Sequence, residues 1–534
     1  MERKWWTLIA VSVAIFMLLL DITVVNVALP SIQSSLKSSF SDLQWVVNAY
    51  ALTLAAFLLT AGSVADLIGR RRVFVLGLIV FTASSAVCGL STTPLMLNLA
   101  RAVQGVGGAM MFATSLALLA QAFHGRERGT AFGVFGAVTG AAVAIGPVVG
   151  GIITSGIGWE WIFFINVPIG IAAVAITLSH VVESSDPDAR SVDWIGLVTF
   201  SGALFMLVFA LIEGNGDGWG STKIVSLLLG ALVLFAAFIA AELKQARPML
   251  DLSLFRKPAF TGASIVAFSV SASIFAMFLY LTLYIQDVLG YTALQAGLRF
   301  LPITLLSFVA APIAGRLSVR MPVRYLLGGG LLLVGIGLLA MTAIDSTSGW
   351  TTLIPGFAVT GVGIGMINPP LASTAIGVVH YSRSGMASGI NSTFRQVGIA
   401  TGIAGLGAVF QHEVLSTTTT KLGAQLPAVQ AAAHGHLNTL LQSGEVRQVF
   451  HLLSPAAQVA LKHSYRVGFT EAFDHILVIA AAIAFIGGLL ALVLVRQRDF
   501  VASQAPAAPG GPGDARASEG SVREPLVAGA GHDG

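Results

Sequence analysis

Asp21 sits in LDITVVNVALP (20–30), the end of an apolar run that opens at Trp5 and is long enough to cross a bilayer. A carboxylate in the middle of such a helix is about 3 kcal/mol unfavourable on insertion scales. Taking the group out of water penalises its charged form, so a proton can be bound and released there, which is the chemistry a proton-driven carrier requires. The alternative is an aspartate satisfied by neighbouring helices that never titrates. Asn98, Arg101 and Gln104 recur at i, i+3 and i+6 of another apolar run and form a polar stripe on one side of it. Asp21 is the only acid deep in a span of the first part of the chain, which makes Arg101 its natural electrostatic neighbour, directly or through water. The cation favours the ionised carboxylate and burial disfavours it, so a change in their separation would load and unload a proton.

Other polar and aromatic residues are placed around this pair with less force. Asn26 lies about 140° round the helix from Asp21 and is read as a hydrogen-bonding contact between helices at the edge of a cavity. Arg395 and Asn391 lie one turn apart in a later apolar run, either at the cavity or with the arginine snorkelling to the surface. In SIFAMFLYLTLY, Phe275, Phe278 and Tyr280 offer soft aromatic surface to a lipophilic substrate, or face lipid. No mid-span acid equivalent to Asp21 appears in the second part of the chain, where Asp287 and Asp474 sit near span ends.

The elements that must position these residues are set by composition. Hydrophobic residues make up 55% of 534 and charged residues 10%, with a mean hydropathy of +0.84, which excludes a soluble globular chain. The chain is expected to be an all-α polytopic membrane protein. Fourteen apolar segments of about 20 residues succeed one another, from 5–29 to 472–495. The first is read as a transmembrane helix, since it is too long for a signal-peptide core and lacks a small-residue cleavage site. Loops on one side hold eighteen Lys and Arg and those on the other hold six, so the positive-inside rule puts both termini in the cytoplasm, across a cell membrane. The net charge of +4 arises from this bias, and no basic cluster calls for nucleic acid. Cys88 is the single cysteine, so neither a disulfide framework nor a thiolate metal site is expected. No GxxxxGK[ST] loop, GxSxG or HExxH is present, which argues against a nucleotide-driven pump or a hydrolase.

Spacing sets the organisation. Six spans in 1–182 and six in 258–500 form two bundles, with two linker helices in 183–257 between them. The segment 411–470 is expected to lie outside the membrane as short amphipathic surface helices, with His434 and His436 as solvated histidines rather than metal ligands. The Ala-, Gly- and Pro-rich tail 501–534 is expected to be disordered. GSVADLIGRRR (62–72) and GRLSVRMPVR (315–324) fall at equivalent places in the two bundles, with Val319 where the first copy has Asp66. This pattern fits parallel repeats around a central cavity. Gly62 and Gly69 are expected to allow close approach, and Asp66 to cap a helix start or pair with Arg70 and Arg71, which otherwise serve as topology anchors. Gly140, Gly146, Gly150 and Gly151 with Pro147 form a small-residue face with a kink.

At these residues the chain resembles a known family. GSVADLIGRRR resembles the loop motif of the major facilitator superfamily, and LNLARAVQGVGGA (97–109) its fourth-helix arginine motif. GAAVAIGPVVGG (140–151) is similar to its antiporter motif, while LDITVVNVALP and WEWIFFINVPIG (159–170) are similar to segments of the fourteen-helix drug:proton antiporter branch. The resemblance implies a monomeric exporter of lipophilic compounds, driven by protons and needing no other cofactor and no nucleotide. It also implies a gating role for the loop around Asp66. An ion-coupled importer of a small metabolite and a non-transporting membrane sensor are the competing readings.

Overall fold

The computed structural model describes residues 2–123, 125–185, 191–245, 248–318, 320–342, 344–345, 347–379, 384–425 and 455–500. The tail 501–534, His434, His436 and Val319 lie outside the described residues. Among the described residues every regular element is helical: α1 (Arg3–Leu36), α2 (Phe40–Ile68), α3 (Arg70–Gly89), α4 (Pro94–Ala122), α5 (Gly125–Gly156), α6 (Trp161–Phe164), α7 (Asn166–His180), α8 (Trp194–Asp217), α9 (Thr222–Lys244), α10 (Pro258–Val270), α11 (Ala276–Leu283), α12 (Ala293–Arg299), α13 (Leu301–Leu317), α14 (Val323–Leu339), α15 (Ile354–Gly377), α16 (Ser384–Gln425) and α17 (Pro455–Leu494). Apolar side chains leave the backbone no other way to satisfy its hydrogen bonds in lipid. All fourteen expected spans fall on helices. Twelve of the described rods are long and apolar enough to cross a membrane, α14 is a shorter apolar helix, and α16 carries the thirteenth span with Asn391, Thr393 and Arg395 along it. The protein is a multi-pass membrane protein.

Successive spans run antiparallel, so α1 leaves a basal face and arrives at a far face. The two halves meet along two seams. At the first, α2 lies against α16: Gln44 Nε2 donates to Ile403 O (3.0 Å), Ala51 and Ala55 share a buried cluster with Ala400 and Ala404, and a Cβ on Gly389 would stand 2.9 Å from Leu59. The inserted helix α8 seals this seam, adding Leu204, Val208 and Ile212 to the same cluster and bonding Asn215 Nδ2 to Ala408 O at 2.6 Å. Its partner α9 turns Leu229, Leu232 and Val233 outward, as a lipid-facing helix does. At the base of the pair, Asp193 accepts from the amides of Gly196 (2.7 Å) and Met249 (3.1 Å) and from Gln245 (2.9 Å). Burial raises the proton affinity of this carboxyl, but the converging donors outweigh it and hold the group below the usual carboxylate range.

At the second seam α5 faces α12 and α13, and it is a wedge. Near the far face Leu294 N donates to Ser155 Oγ (2.9 Å), a Cβ on Gly151 would stand 2.6 Å from Ala293 O, and one on Gly297 would collide with Pro147 O. Deeper in, a Cβ on Gly140 would reach only Phe308, at 3.9 Å, and at Gly136 and Gly133 it would meet nothing within 4 Å. Over those 18 residues, about 27 Å of helix, the halves go from interlocked to apart. Gln286 Nε2 to Val27 O (2.7 Å) adds another clasp on the far side.

Of the segment 411–470, residues 426–454 lie outside the described residues; its two ends are helical, α16 continuing to Gln425 and α17 starting at Pro455. Their apolar faces bury one another: Thr418, Leu422, Leu461 and Ser464 are all below 4% exposed, and a Cβ on Gly468 would stand 3.0 Å from Val414 O. At these two ends the apolar positions serve a helix–helix contact.

Candidate functional site

Asp21 sits midway along α1 and is 2% exposed, and its hydrogen-bond partners among the described residues come from two other helices of the first half. From α4, Arg101 Nη1 meets Asp21 Oδ2 at 2.5 Å and Gln104 Nε2 donates to Oδ1 at 3.0 Å. Asn166, the first residue of α7, donates through Nδ2 to Oδ1 at 3.2 Å and to Ser85 Oγ of α3 at 3.1 Å. Arg101 is itself 1% exposed and spends its other donors inward, with Nη1 to Gln104 Oε1 at 2.8 Å and Nε to Val46 O of α2 at 3.1 Å. Its guanidinium lies 4.3 Å from the centre of the Tyr50 ring, and Cys88 Sγ approaches Gln104 Oε1 at 3.6 Å. The carboxylate thus accepts three donors, one cationic, and the ion pair is neutral as a unit.

Local sequence makes this convergence possible. Arg101 and Gln104 are one turn apart and share a face of α4. The glycines just beyond them bring α4 against its neighbours: a Cβ on Gly107 would stand 2.5 Å from Phe81 N of α3, and one on Gly105 would collide with Tyr50 O of α2. Asn166 reaches the site from the sixth span, at the start of α7. Sequence reading missed Asn166, Ser85 and Tyr50. The signal for Asn166 was a lone amide inside the apolar WEWIFFINVPIG; for the other two no local signal exists.

Asn98, the first of the predicted stripe, is only half buried, and its Oδ1 has no partner among the described residues, so the stripe narrows to Arg101 and Gln104. Asn26 donates to Ile22 O of its own helix (3.1 Å) rather than to another helix among the described residues. Tyr280 is fully buried, with its hydroxyl donating to Ile403 O (2.6 Å) and accepting from Gln44 (3.3 Å); it belongs to the first seam and not to a cavity wall. Phe275 and Phe278 are half buried, 6.1 Å apart, and continue to Phe300 at 5.4 Å. Arg395 points Nη1 at Asn368 Oδ1 (3.3 Å) with its Cζ 5.6 Å from the Phe275 ring, and Asn391 donates to Ala263 O (3.3 Å).

The glycine segment on α5 divides its contacts. Gly146 and Gly150 admit α1, where added Cβ atoms would collide with Thr23 and stand 3.0 Å from Val24 Cα, whereas Pro147 and Gly151 lie against α12 of the other half. These residues therefore join the helix of Asp21 to the closing seam.

At the basal face, Asp66 lies in the last turn of α2, so it caps no helix start. It pairs with Arg70, Oδ1 accepting from Nε at 2.9 Å and Nη2 at 2.8 Å. Gly62 needs no close approach, its nearest added contact being Ala113 at 4.0 Å, whereas Gly69 adopts a φ of 118° that a side chain would strain. The anchor of this loop was not foreseen. Glu183, just past α7, accepts from the amides of Arg71 (2.9 Å) and Arg72 (3.2 Å) at the start of α3, while Arg71 Nη2 donates to Leu178 O at 2.9 Å. The half-exposed Asp66–Arg70 pair contributes at most about 1 kcal/mol, and an acid on a helix N-terminus about 1–2 kcal/mol. Glu183→Ala is therefore expected to raise hydrogen exchange at the Arg71 and Arg72 amides about tenfold, with Asp66→Asn changing them less than threefold. Equal effects of the two substitutions would contradict this ranking.

Comparisons with known proteins agree with this architecture. The family model described as Major Facilitator Superfamily matches residues 11–403. The chain is 36% identical to the multidrug resistance protein Stp of Mycobacterium tuberculosis, over 79% of this chain and 78% of that one. It is 33% identical to the tetracenomycin C resistance and export protein of Streptomyces glaucescens, over 77% of each. Among solved structures, it is similar to a bacterial homolog of the human lysosomal transporter Spinster, crystallised inward-facing and unoccupied, with a TM-score of 0.58 and 17% identity over 94% of this chain and 99% of that one.

Proposed function

Because this chain belongs to the major facilitator superfamily, we propose that it is a proton-coupled antiporter that exports lipophilic drugs or natural products across the cytoplasmic membrane. Membership places it among transporters rather than enzymes. The observation that carries the coupling reading is the Asp21–Arg101–Gln104–Asn166 network, an ionisable group in the middle of a bundle held by donors from two other helices. Asp21 is the proton carrier. When the helices around it shift, Arg101 and Asn166 withdraw or return, and the proton affinity of the carboxylate changes with them. The names of the relatives, multidrug resistance and tetracenomycin C export, support a lipophilic cargo and an outward direction.

The basal face carries the Arg70 to Arg72 loop and both ends of the described chain, and the bias of Lys and Arg toward it supports a cytoplasmic orientation. The wedge at the α5/α13 seam then opens inward and the clasps at its other end close outward. Rocking about the α2/α16 seam, braced by α8, would exchange these states, with the loop around Asp66 as the basal gate. The driving force is adequate: at about 2.3 kcal/mol per charge per 100 mV, one proton at about 150 mV supplies about 3.5 kcal/mol, enough for a gradient of several hundredfold.

The test is extrusion from proteoliposomes loaded with a panel of dyes and natural products. Accumulation against a gradient that appears with an imposed proton gradient and collapses with a protonophore is expected. Flux that ignores the proton gradient would remove the coupling, and accumulation in the opposite direction would make the protein an importer.

A further inference from the structure

Among the described residues, the ionised side chains at mid-depth in the bundle are Asp21, Arg101 and Arg395. The first two neutralise each other, so the interior carries one uncompensated positive charge. Arg395 has no carboxylate within ion-pair distance among the described residues; its hydrogen bond goes to the neutral amide of Asn368, and its other neighbour is the face of Phe275. Acids along the adjoining helices are engaged far away. Glu413, 18 residues farther along α16 and so about 27 Å away, meets His475 at 3.0 Å, which sets Asp474 at the same level. Glu213 receives Trp45 Nε1 at 3.2 Å near the far face.

A guanidinium has five N–H donors, and one amide oxygen serves few of them. Inside a membrane such a cation must face water or gain a counter-charge. Arg395 is half buried, and so are Phe275 and Phe278, whose rings lead on to Phe300 at the head of α13, on the wedge-shaped seam. A bidentate cation beside an aromatic wall is suited to a planar ring system bearing a carboxylate, phenolate or enolate.

We propose that Arg395 is the point at which this transporter binds the acidic group of its cargo, so that its substrates are aromatic weak acids, with the ring system against Phe275 and Phe278. This rests on the export reading and specifies its substrate class. Exchange of an inward proton for an outward anion has a thermodynamic consequence: a membrane potential negative inside drives both legs.

The experiment separates binding from transport. Purified protein in phosphatidylcholine nanodiscs is titrated with three matched fluorescent ligands: anthracene-9-carboxylate, its neutral carboxamide, and anthracen-9-ylmethylammonium. The carboxylate is expected to bind about tenfold or more tighter than the carboxamide, with the ammonium weakest. Arg395→Gln is expected to weaken the carboxylate about tenfold or more and the carboxamide less than threefold, and Arg395→Lys to retain part of the preference. The wild-type order decides even where a variant does not fold. No binding of the carboxylate, a preference for the ammonium, or an equal loss of all three ligands in Arg395→Gln would overturn the proposal. Proton-driven uptake of the same ligands into proteoliposomes tests the export reading independently, since binding in the expected order without flux would sink export and leave Arg395 as the anion site.

Discussion

Asp21→Asn is expected to abolish gradient-driven extrusion, reducing it at least about a hundredfold to the level of protein-free vesicles, while substrate exchange without a gradient persists. The geometry gives this split its reason. The Asn carboxamide can still accept from Arg101 through its oxygen, so the contact between α1 and α4 survives in weakened form. Its nitrogen, however, now faces the donors Gln104 Nε2 and Asn166 Nδ2, and nothing at the position can titrate. Arg101 also loses its counter-charge while still 1% exposed, so a fall in thermal stability accompanies the loss of coupling. Asp21→Glu supplies the control, keeping titration and charge at the cost of one methylene in a packed site; it is expected to pump, slowly. The measurement is paired, comparing uptake with and without a proton gradient for both variants in the same vesicles. Undiminished gradient-driven uptake by Asp21→Asn would place the proton elsewhere.

How much of this site was legible in the sequence depends on how each residue announces itself. Asp21, Arg101 and Gln104 stand out because ionised and amide groups inside long apolar runs are costly, and the one-turn spacing of the latter two already puts them on a common face. Asn166, Ser85 and Tyr50 complete the site from three further helices, and helix adjacency is not encoded in any local pattern. Tyr280 was misplaced for a different reason. Phe278 and Tyr280 lie two residues apart in α11, about 200° round the helix, so a shared aromatic face was never available to both. Phe275 and Phe278 remain half buried, while Tyr280 turns into the seam between halves. The same limit applies to 411–425 and 455–470, where periodicity identifies a helical face but not its partner, which is the opposing helix of the pair α16 and α17.

The glycines on α5 link the site to the conformational change. Gly146 and Gly150 let α1, and with it Asp21, lie against α5, while Gly151 and Pro147 let α5 lock against α12 at the far face. Motion that separates α5 from α12 would therefore move the helix packed directly against that of Asp21, the proposed proton carrier. The packing of one helix against the helix of Asp21 on one side and the closing seam on the other is a physical route for the proposed coupling that motifs taken one by one do not contain.

The contrast between one substitution and two at the ion pair is the second large effect expected. Arg101→Leu alone removes the cation and strands Asp21, 2% exposed, with only Gln104 and Asn166 as donors. Breaking a buried pair from one side costs about 3–5 kcal/mol, a large part of the stability of an ordinary domain. Asp21→Leu with Arg101→Leu leaves no charge at this site. The remaining unpaired groups are modest: Gln104 Nε2 loses its acceptor, Val46 O loses a donor beyond its helical bond, and Asn166 keeps Ser85. One or two orphaned polar groups cost about 1–3 kcal/mol each, offset by the gain from replacing an ion pair with apolar packing. The double variant is thus expected to unfold at a higher temperature than Arg101→Leu, close to the wild type, and to show no proton-driven uptake. Stability and uptake must be measured together, because they separate the two roles the pair can have. A double variant that still pumps would make the pair structural, and a double variant less stable than Arg101→Leu would mean that the charges stabilise the bundle by more than their desolvation costs. Restored stability without pumping is the signature of a site retained for coupling at a cost in stability.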